Sequence, residues 1–268
     1  MHRKTLNILA AIAIMGGSAV SAFAQITNTI ASVSSASYLP IVSPNSIVSG
    51  WGSSLTTTTV AADTGTASPT VVLPTVLGNV SLSVRDIKGA QVTPQLYLVS
   101  PGQINYVLPD GLNLGPAALT VVSGSNSFNG PVKVSNVSPA LYTADASGTG
   151  VPVGTVYRVA PSNAVTLDST FNTANFTFTP KPISLNSSDK VFLVLYGTGI
   201  RNHNPNPPVV MVANTVVPTT YAGAQITYPG FDQVNIGPLP VSLAGTGIAV
   251  LTLFVDGVPS NAVQIAIR

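Results

Sequence analysis

Cysteine and glutamate are both missing from this chain of 268 residues, and histidine occurs only twice. Without cysteine there is no disulfide scaffold, no thiolate metal site, no cysteine nucleophile and no thiol for lipid attachment. Without glutamate the acids are eight aspartates, at positions 63, 86, 110, 145, 168, 189, 232 and 256. Helices favour Glu, whereas Asp, Gly and Pro suit turns, so this choice beside 23 Gly and 22 Pro argues for strands and loops. Charge is scarce as well, at 7% of residues. Beyond the first residues no apolar run approaches the ~20 residues of a membrane-spanning helix.

What is present begins with an export signal. His2, Arg3 and Lys4 form a basic start, Leu6 to Met15 is largely apolar, and Ala22-Phe23-Ala24 is a small-x-small cleavage site. Residues 1–24 are therefore expected to be a signal peptide, with the mature chain starting at Gln25 and reaching the periplasm or the extracellular medium. The formal charge of +2 belongs to that segment: removing Arg3 and Lys4 from 10 basic residues leaves 8 against 8 acidic ones. A near-neutral product has no electrostatic reason to seek nucleic acid or an acidic membrane.

The mature region writes one pattern twice. Ser46-Ile47-Val48-Ser49-Gly50-Trp51-Gly52-Ser53-Ser54-Leu55 returns as Val191-Phe192-Leu193-Val194-Leu195-Tyr196-Gly197-Thr198-Gly199-Ile200. Each copy is followed by a Gln-x-Asn strand, Gln103-Ile104-Asn105 and Gln233-Val234-Asn235, and then by two further apolar strands. Matched order over this distance predicts two copies of one β-module. Period-2 alternation in Val80-Ser81-Leu82-Ser83-Val84 marks a half-buried strand, and Asp110-Gly111 and Asp256-Gly257 are turn signals of an antiparallel sandwich. The expected division is a flexible leader at 25–35, a first immunoglobulin-like module at 36–140, a connecting hairpin and mobile polar insertion at 141–181, and a second module at 182–268.

The chemistry of a catalyst is thin. His203 is the one histidine outside the signal, it lies in the Pro/Asn-rich run Arg201 to Pro208, and no Gly-x-Ser-x-Gly elbow accompanies it. Aspartates beside turn residues suit backbone capping rather than a glycosidase pair. Asp145-Ala146-Ser147-Gly148-Thr149-Gly150 offers one carboxylate, too little for calcium, and one histidine without cysteine disfavours a transition metal. Gly197-Thr198-Gly199 lacks the third glycine of a dinucleotide loop and is expected to mark a bulge or a tight bend. Aromatic residues give the one functional hint. Tyr228 and Phe231 flank Pro229-Gly230 in a predicted loop, where exposed rings would stack on a sugar or anchor a protein, while Trp51 is expected in the core.

Several landmarks together carry a resemblance. Ala36-Ser37-Tyr38 followed by Ser43-Pro44-Asn45 and the strand to Gly52, then Ser138-Pro139-Ala140-Leu141-Tyr142-Thr143, Leu195 to Ile200, Tyr221-Ala222-Gly223, Pro229-Gly230-Phe231, and Gly257-Val258-Pro259-Ser260-Asn261 stand in this order. The series resembles the Solibacter-type (acidobacterial) C-terminal domain family, itself similar to IPT/TIG immunoglobulin-like modules. That resemblance implies paired β-sandwiches of the kind found at the C-terminus of larger secreted proteins. Pro229 to Gln233 is shorter than the longer form of that loop in the family.

The sequence thus predicts an all-β protein of two tandem immunoglobulin-like sandwiches without cofactor or metal. The expected role is non-catalytic, structural or adhesive, towards an extracellular protein or polysaccharide, and a carbohydrate-binding module using Tyr228 and Phe231 is the alternative. Strand addition at an unpaired sheet edge is a third route to assembly.

Overall fold

A computed structural model describes residues 28–65 and 70–268. The signal segment 1–24 and the first leader residues, 25–27, lie outside the described residues. The rest is all β: among the described residues the sole helical element is the 3-10 turn Val241–Leu243. No helix among them is long and apolar enough to cross a membrane.

Two compact units divide the chain. The first holds the described residues up to Ser138 together with Gln225–Phe231, and the second holds Pro139–Ala224 and Asp232–Arg268. Each is an immunoglobulin-like sandwich of two sheets. In the first unit one sheet runs Ile30–Ser34, Ile47–Gly52, Gln103–Val107, Gln95–Val99 and Val60–Ala61 in spatial order. The other runs Asn126–Val134, Gly115–Ser123, Val80–Asp86 and Val76–Leu77. In the second unit the corresponding orders are Val165–Ser169, Gly154–Val159, Lys190–Thr198, Asp232–Ile236, Thr219–Ala224, and then Pro182–Ile183, Val263–Ile267, Gly247–Val255, Val209–Val212, Thr215–Val217.

The twin patterns of the sequence occupy equivalent places. Gln103–Val107 sits between Ile47–Gly52 and Gln95–Val99, as Asp232–Ile236 sits between Lys190–Thr198 and Thr219–Ala224. Trp51 pairs with Gln103 and Tyr196 pairs with Gln233, so the two aromatics hold one register position. Both are half-buried rather than fully enclosed. Alternation supplies the interior of each sandwich. In the first, Val48, Val80, Val84, Leu96, Ile104, Tyr106, Leu119 and Val121 close on one another. In the second, Leu193, Leu195, Val210, Val212, Val234, Ile236, Leu251 and Leu253 are buried. Apolar burial of this extent is the main favourable term in folding and needs no covalent staple.

The glycines of the repeated motif are explained by close approach. A side chain on Gly52 would lie 2.8 Å from Leu55 Cδ2 and 3.0 Å from the Thr29 carbonyl oxygen. One on Gly197 would collide with the Ala140 carbonyl and lie 3.0 Å from Ile200 Cδ1. In both copies, then, a neighbouring backbone crosses over the glycine while a buried Leu55 or Ile200 fills the space beside it. Of the two expected roles, a bulge or a tight bend, the bend is present at Gly199, at φ +75°.

Three expectations about organisation change. The leader is not loose throughout, because Ile30–Ser34 pairs with Ile47–Gly52 as an edge strand. The segment 141–181 is not merely a connector: Gly154–Val159 and Val165–Ser169 belong to the second sandwich, and Phe171–Ala174 pairs with Thr177–Pro180 in a separate hairpin. The run Thr70-Val71-Val72-Leu73, whose β-branched residues read as a strand in the sequence, has no ladder; Val71 and Leu73 are buried and the Val71 N–H donates to the Thr227 carbonyl at 2.8 Å.

Candidate functional site

Tyr228 and Phe231 do not form an exposed aromatic platform. Phe231 is 2% exposed and Tyr228 half-buried, their rings meeting edge to face at 6.2 Å. Burial pushes the Tyr228 hydroxyl above its ordinary pKa. The Tyr97 hydroxyl donates to the Pro229 carbonyl at 2.7 Å. Gly230, at φ +75°, leaves no room for a side chain, which would sit 2.7 Å from Ile47 Cγ1. The segment packs into the first unit, and its rings are consumed by that packing. The sequence expectation of an exposed Phe231 is therefore corrected: a Pro-Gly turn flanked by aromatics marks a docked loop here.

His203 is half-buried, and its ring nitrogens face the backbone carbonyl oxygens of Asn204 and Ala222. All eight aspartates have local hydrogen-bond partners. Asp86 accepts from the Asn113 N–H and side-chain amide at 2.7 and 2.8 Å, and from the Lys88 and Ala90 N–H groups. Those donors, that of the Asn113 backbone foremost, hold its carboxyl at a pKa of about 2. Asp232, fully buried, accepts from the Ile200 N–H at 2.7 Å and from Arg201 Nε at 2.6 Å. Burial still raises its pKa above the usual carboxylate range. Asp168 pairs with Lys181, and Asp189 with Arg158. Asp63, Asp110, Asp145 and Asp256 bond to Gly65, Asn45, Ser147 and Asn204. Among the described residues no group of three or more His, Cys, Asp or Glu side chains converges.

The surface feature that stands out is the outer face of one sheet of the second sandwich. Along Gly247–Val255, alternate residues Leu251, Leu253 and Val255 point inward, so Ile248, Val250, Thr252 and Phe254 face out. Val209 stands opposite Phe254 and Met211 opposite Thr252, with Val216 beyond Met211. Ile248 is 59% exposed, Val250 51% and Val216 59%. At one end the face runs into an open groove of about 530 Å³ whose lining includes Pro207, Val209, Met211 and Phe254. Asn204, Asn206 and Asp256 also line it, and the Asp256 carboxylate accepts from the Asn204 N–H at 3.1 Å, tying the Pro/Asn loop to the Asp256-Gly257 turn.

The first sandwich serves as an internal control for this face. Gly115–Ser123 is the counterpart of Gly247–Val255, both starting on a positive-φ glycine, and it presents Pro116, Ala118, Thr120 and Val122 outward. Its neighbours contribute Ser81, Ser83 and Arg85 on one side, with Asn129 and Lys133 on the other. Thr120 Oγ1 donates to Asn129 Oδ1 at 2.9 Å. The central strand presents apolar residues in both copies; the strands beside it are polar in the first, whereas in the second one neighbour supplies Val209 and Met211 and the other an exposed Gln264. Sequence reading missed it, although the large Ile248-x-Val250 beside Val209-x-Met211, where the first copy has the smaller Pro116-x-Ala118, carried the signal.

No protein-family model matches the chain, and no curated protein matches it either. Solved structures give distant likenesses. The SGBP-B protein of the Bacteroides ovatus mixed-linkage glucan utilization locus, in complex with a mixed-linkage heptasaccharide, is 13% identical with a TM-score of 0.32. That alignment covers 85% of this chain, which spans 44% of the length of its counterpart. Domains 5–6 of the S-layer protein SbsC are 13% identical over 92% of this chain and 96% of theirs, with a TM-score of 0.24. The I9–I11 tandem of titin is 10% identical over 85% of this chain and 95% of its own, with a TM-score of 0.17.

Proposed function

We propose that the protein is a non-catalytic adhesion or structural module of the periplasm or cell exterior, and that it docks a partner protein on the outer face of the second sandwich. The observation that carries this reading is the contrast between the twins. Where the strands flanking the first copy's face turn Ser81, Ser83, Arg85 and Lys133 outward, the second exposes Val209, Val216, Ile248 and Val250 with the half-buried Met211 and Phe254 between them. A large apolar patch on a protein surface marks an interaction site, and depletion of charge at its centre is the compositional mark of an interface core. Aspartates and His203 tied into local hydrogen bonds support the non-catalytic side of the proposal. Membership of the Solibacter-type family, with export by the N-terminal signal, belongs to the same proposal.

The test compares the labelled mature chain with a Val216→Ser, Ile248→Thr, Val250→Ser variant for retention on the envelope of the cells that make it. Because the three side chains are exposed, stability should change by less than about 0.5 kcal/mol per site. Retention should fall with Tm preserved. Equal retention by a folded variant would overturn the reading, and turnover on a hydrolase panel lost with His203→Ala would overturn its non-catalytic part.

A further inference from the structure

The hairpin Phe171–Ala174 and Thr177–Pro180 forms its own two-stranded sheet, with Phe171 opposite Pro180 and Ala174 opposite Thr177. Its two-residue turn is Asn175-Phe176, at φ +47° and +59°. Turns of this shape select Asn-Gly, because positive φ at the second residue suits glycine and strains a bulky side chain. Phe176 nevertheless occupies that position with 91% of its surface exposed. Its ring packs against almost nothing, so the fold gains no burial to offset the strained backbone. A local rule broken without a gain in packing points to a role outside the folding of the chain.

The surroundings of the ring define what it would meet. Phe171 and Phe178 pack edge to face behind the tip, with centroids 5.6 Å apart, and stiffen the hairpin. Asn172, Thr173, Asn175, Thr177 and Thr179 are exposed, supplying amides and hydroxyls around the aromatic tip. From Ser169 to Pro180 there is no charged residue, and the flanking Asp168 and Lys181 neutralise each other at 2.6 Å. A bilayer is a poor match, since inserting the tip would carry Asn175 and Thr177 into hydrocarbon. A charged ligand finds no counter-charge. What fits is a surface that is flat and C–H-rich on one face and dense in neutral hydroxyls at its edge.

We propose that this tip is a stacking site for a neutral sugar residue of a polysaccharide, with Phe176 as the platform and Asn175 and Thr177 as hydrogen-bonding flanks. The site is separate from the apolar face of the second sandwich and stands or falls independently of it. It also moves the sugar-binding aromatic from Tyr228 and Phe231, which are packed, to a ring that is presented.

Affinity electrophoresis through gels containing a soluble β-glucan, a mannan or a starch tests it, with sedimentation on phosphatidylcholine vesicles run in parallel. The wild type should be retarded by at least one polysaccharide. Phe176→Gly should weaken that binding about tenfold or more, as loss of a central aromatic anchor does. The same change relieves the positive-φ strain and should raise Tm by about 2–4 °C, so lost binding cannot be ascribed to unfolding. Phe176→Trp should keep the retardation. Passage through all three gels without retardation would overturn the proposal. So would retardation unchanged in Phe176→Gly, or vesicle binding that disappears with the ring.

Discussion

The two sandwiches share a skeleton and differ in how they hold the same corner. In each, Gln donates its side-chain amide to the Asn two residues on: Gln103 to Asn105 and Gln233 to Asn235, both at 2.8 Å. In each, a glycine lets a neighbouring backbone cross, and a fully buried Leu55 or Ile200 fills the corner. The first copy anchors that corner with backbone alone, the Leu55 N–H donating to the Pro101 carbonyl at 3.0 Å. The second uses Asp232, whose carboxylate takes the Ile200 N–H and pairs with Arg201. The first places Gly102 opposite Gly52, where the second places Asp232 opposite Gly197. Packing and glycine placement thus define the module, and the polar anchor is interchangeable.

The largest effect expected from breaking this comparison is at Asp232. Asp232→Ala leaves the buried Ile200 N–H without this acceptor, removes the carboxylate paired with Arg201, and should destabilise the protein by about 3–5 kcal/mol in denaturant titration. The first copy carries no corresponding side chain to remove, and a cost below about 1 kcal/mol would show that the corner is held by packing alone.

Next come the crossing glycines. Gly197→Ala and Gly52→Ala should each destabilise by about 1–3 kcal/mol through overpacking. Gly197 is the more sensitive, because its new Cβ meets the Ala140 backbone carbonyl, whereas Gly52→Ala chiefly displaces the flexible Leu55 side chain. Equal costs, or a larger one at Gly52, would contradict the crossing geometry.

A smaller effect separates the two buried aspartates by pH. Asp86, held at about 2, contributes stability that is complete above the ordinary carboxylate pKa of about 4 and lost as pH falls from there towards 2. Asp232, raised by burial, has the opposite sign: its contribution is greatest below about pH 4 and declines as pH rises through its folded pKa. The acid-side fall of Tm with pH should become shallower in Asp86→Asn, the remainder belonging to Asp168 and Asp189, whose carboxyls are also lowered. The decline attributable to Asp232 should vanish in Asp232→Asn.

The strands that bury one face were legible in sequence; those that bury little were not. Gln95–Val99, Val209–Val212 and Gly247–Val255 can be bounded from sequence, since their inward residues are apolar at every second place, and Asp232–Ile236 shows the same alternation at Val234 and Ile236. Ile30–Ser34 escaped because two of its inward positions are serines, and Ser32 is satisfied there by the Tyr106 hydroxyl at 3.0 Å. Val165–Ser169 and the Phe171–Pro180 hairpin have almost nothing to bury, so alternation had no contrast to show. The functional aromatics failed for a related reason. Neighbouring Pro and Gly gave Tyr228 and Phe231 the signature of an exposed loop, but exposure depends on what the loop packs against. Phe176 was hidden because its turn lacks the glycine that normally announces a hairpin.

Thr120 and Thr252 are the same residue type at equivalent positions of the two outer faces; across the sheet Thr120 stands beside Ser83 and Asn129, and Thr252 beside Met211. A photo-reactive amino acid at each, introduced in separate chains and irradiated in the cells that make the protein, reads the difference between the faces directly. The account predicts a discrete covalent adduct from position 252 and none from position 120. Equal labelling at both positions, or labelling at 120 alone, would contradict it.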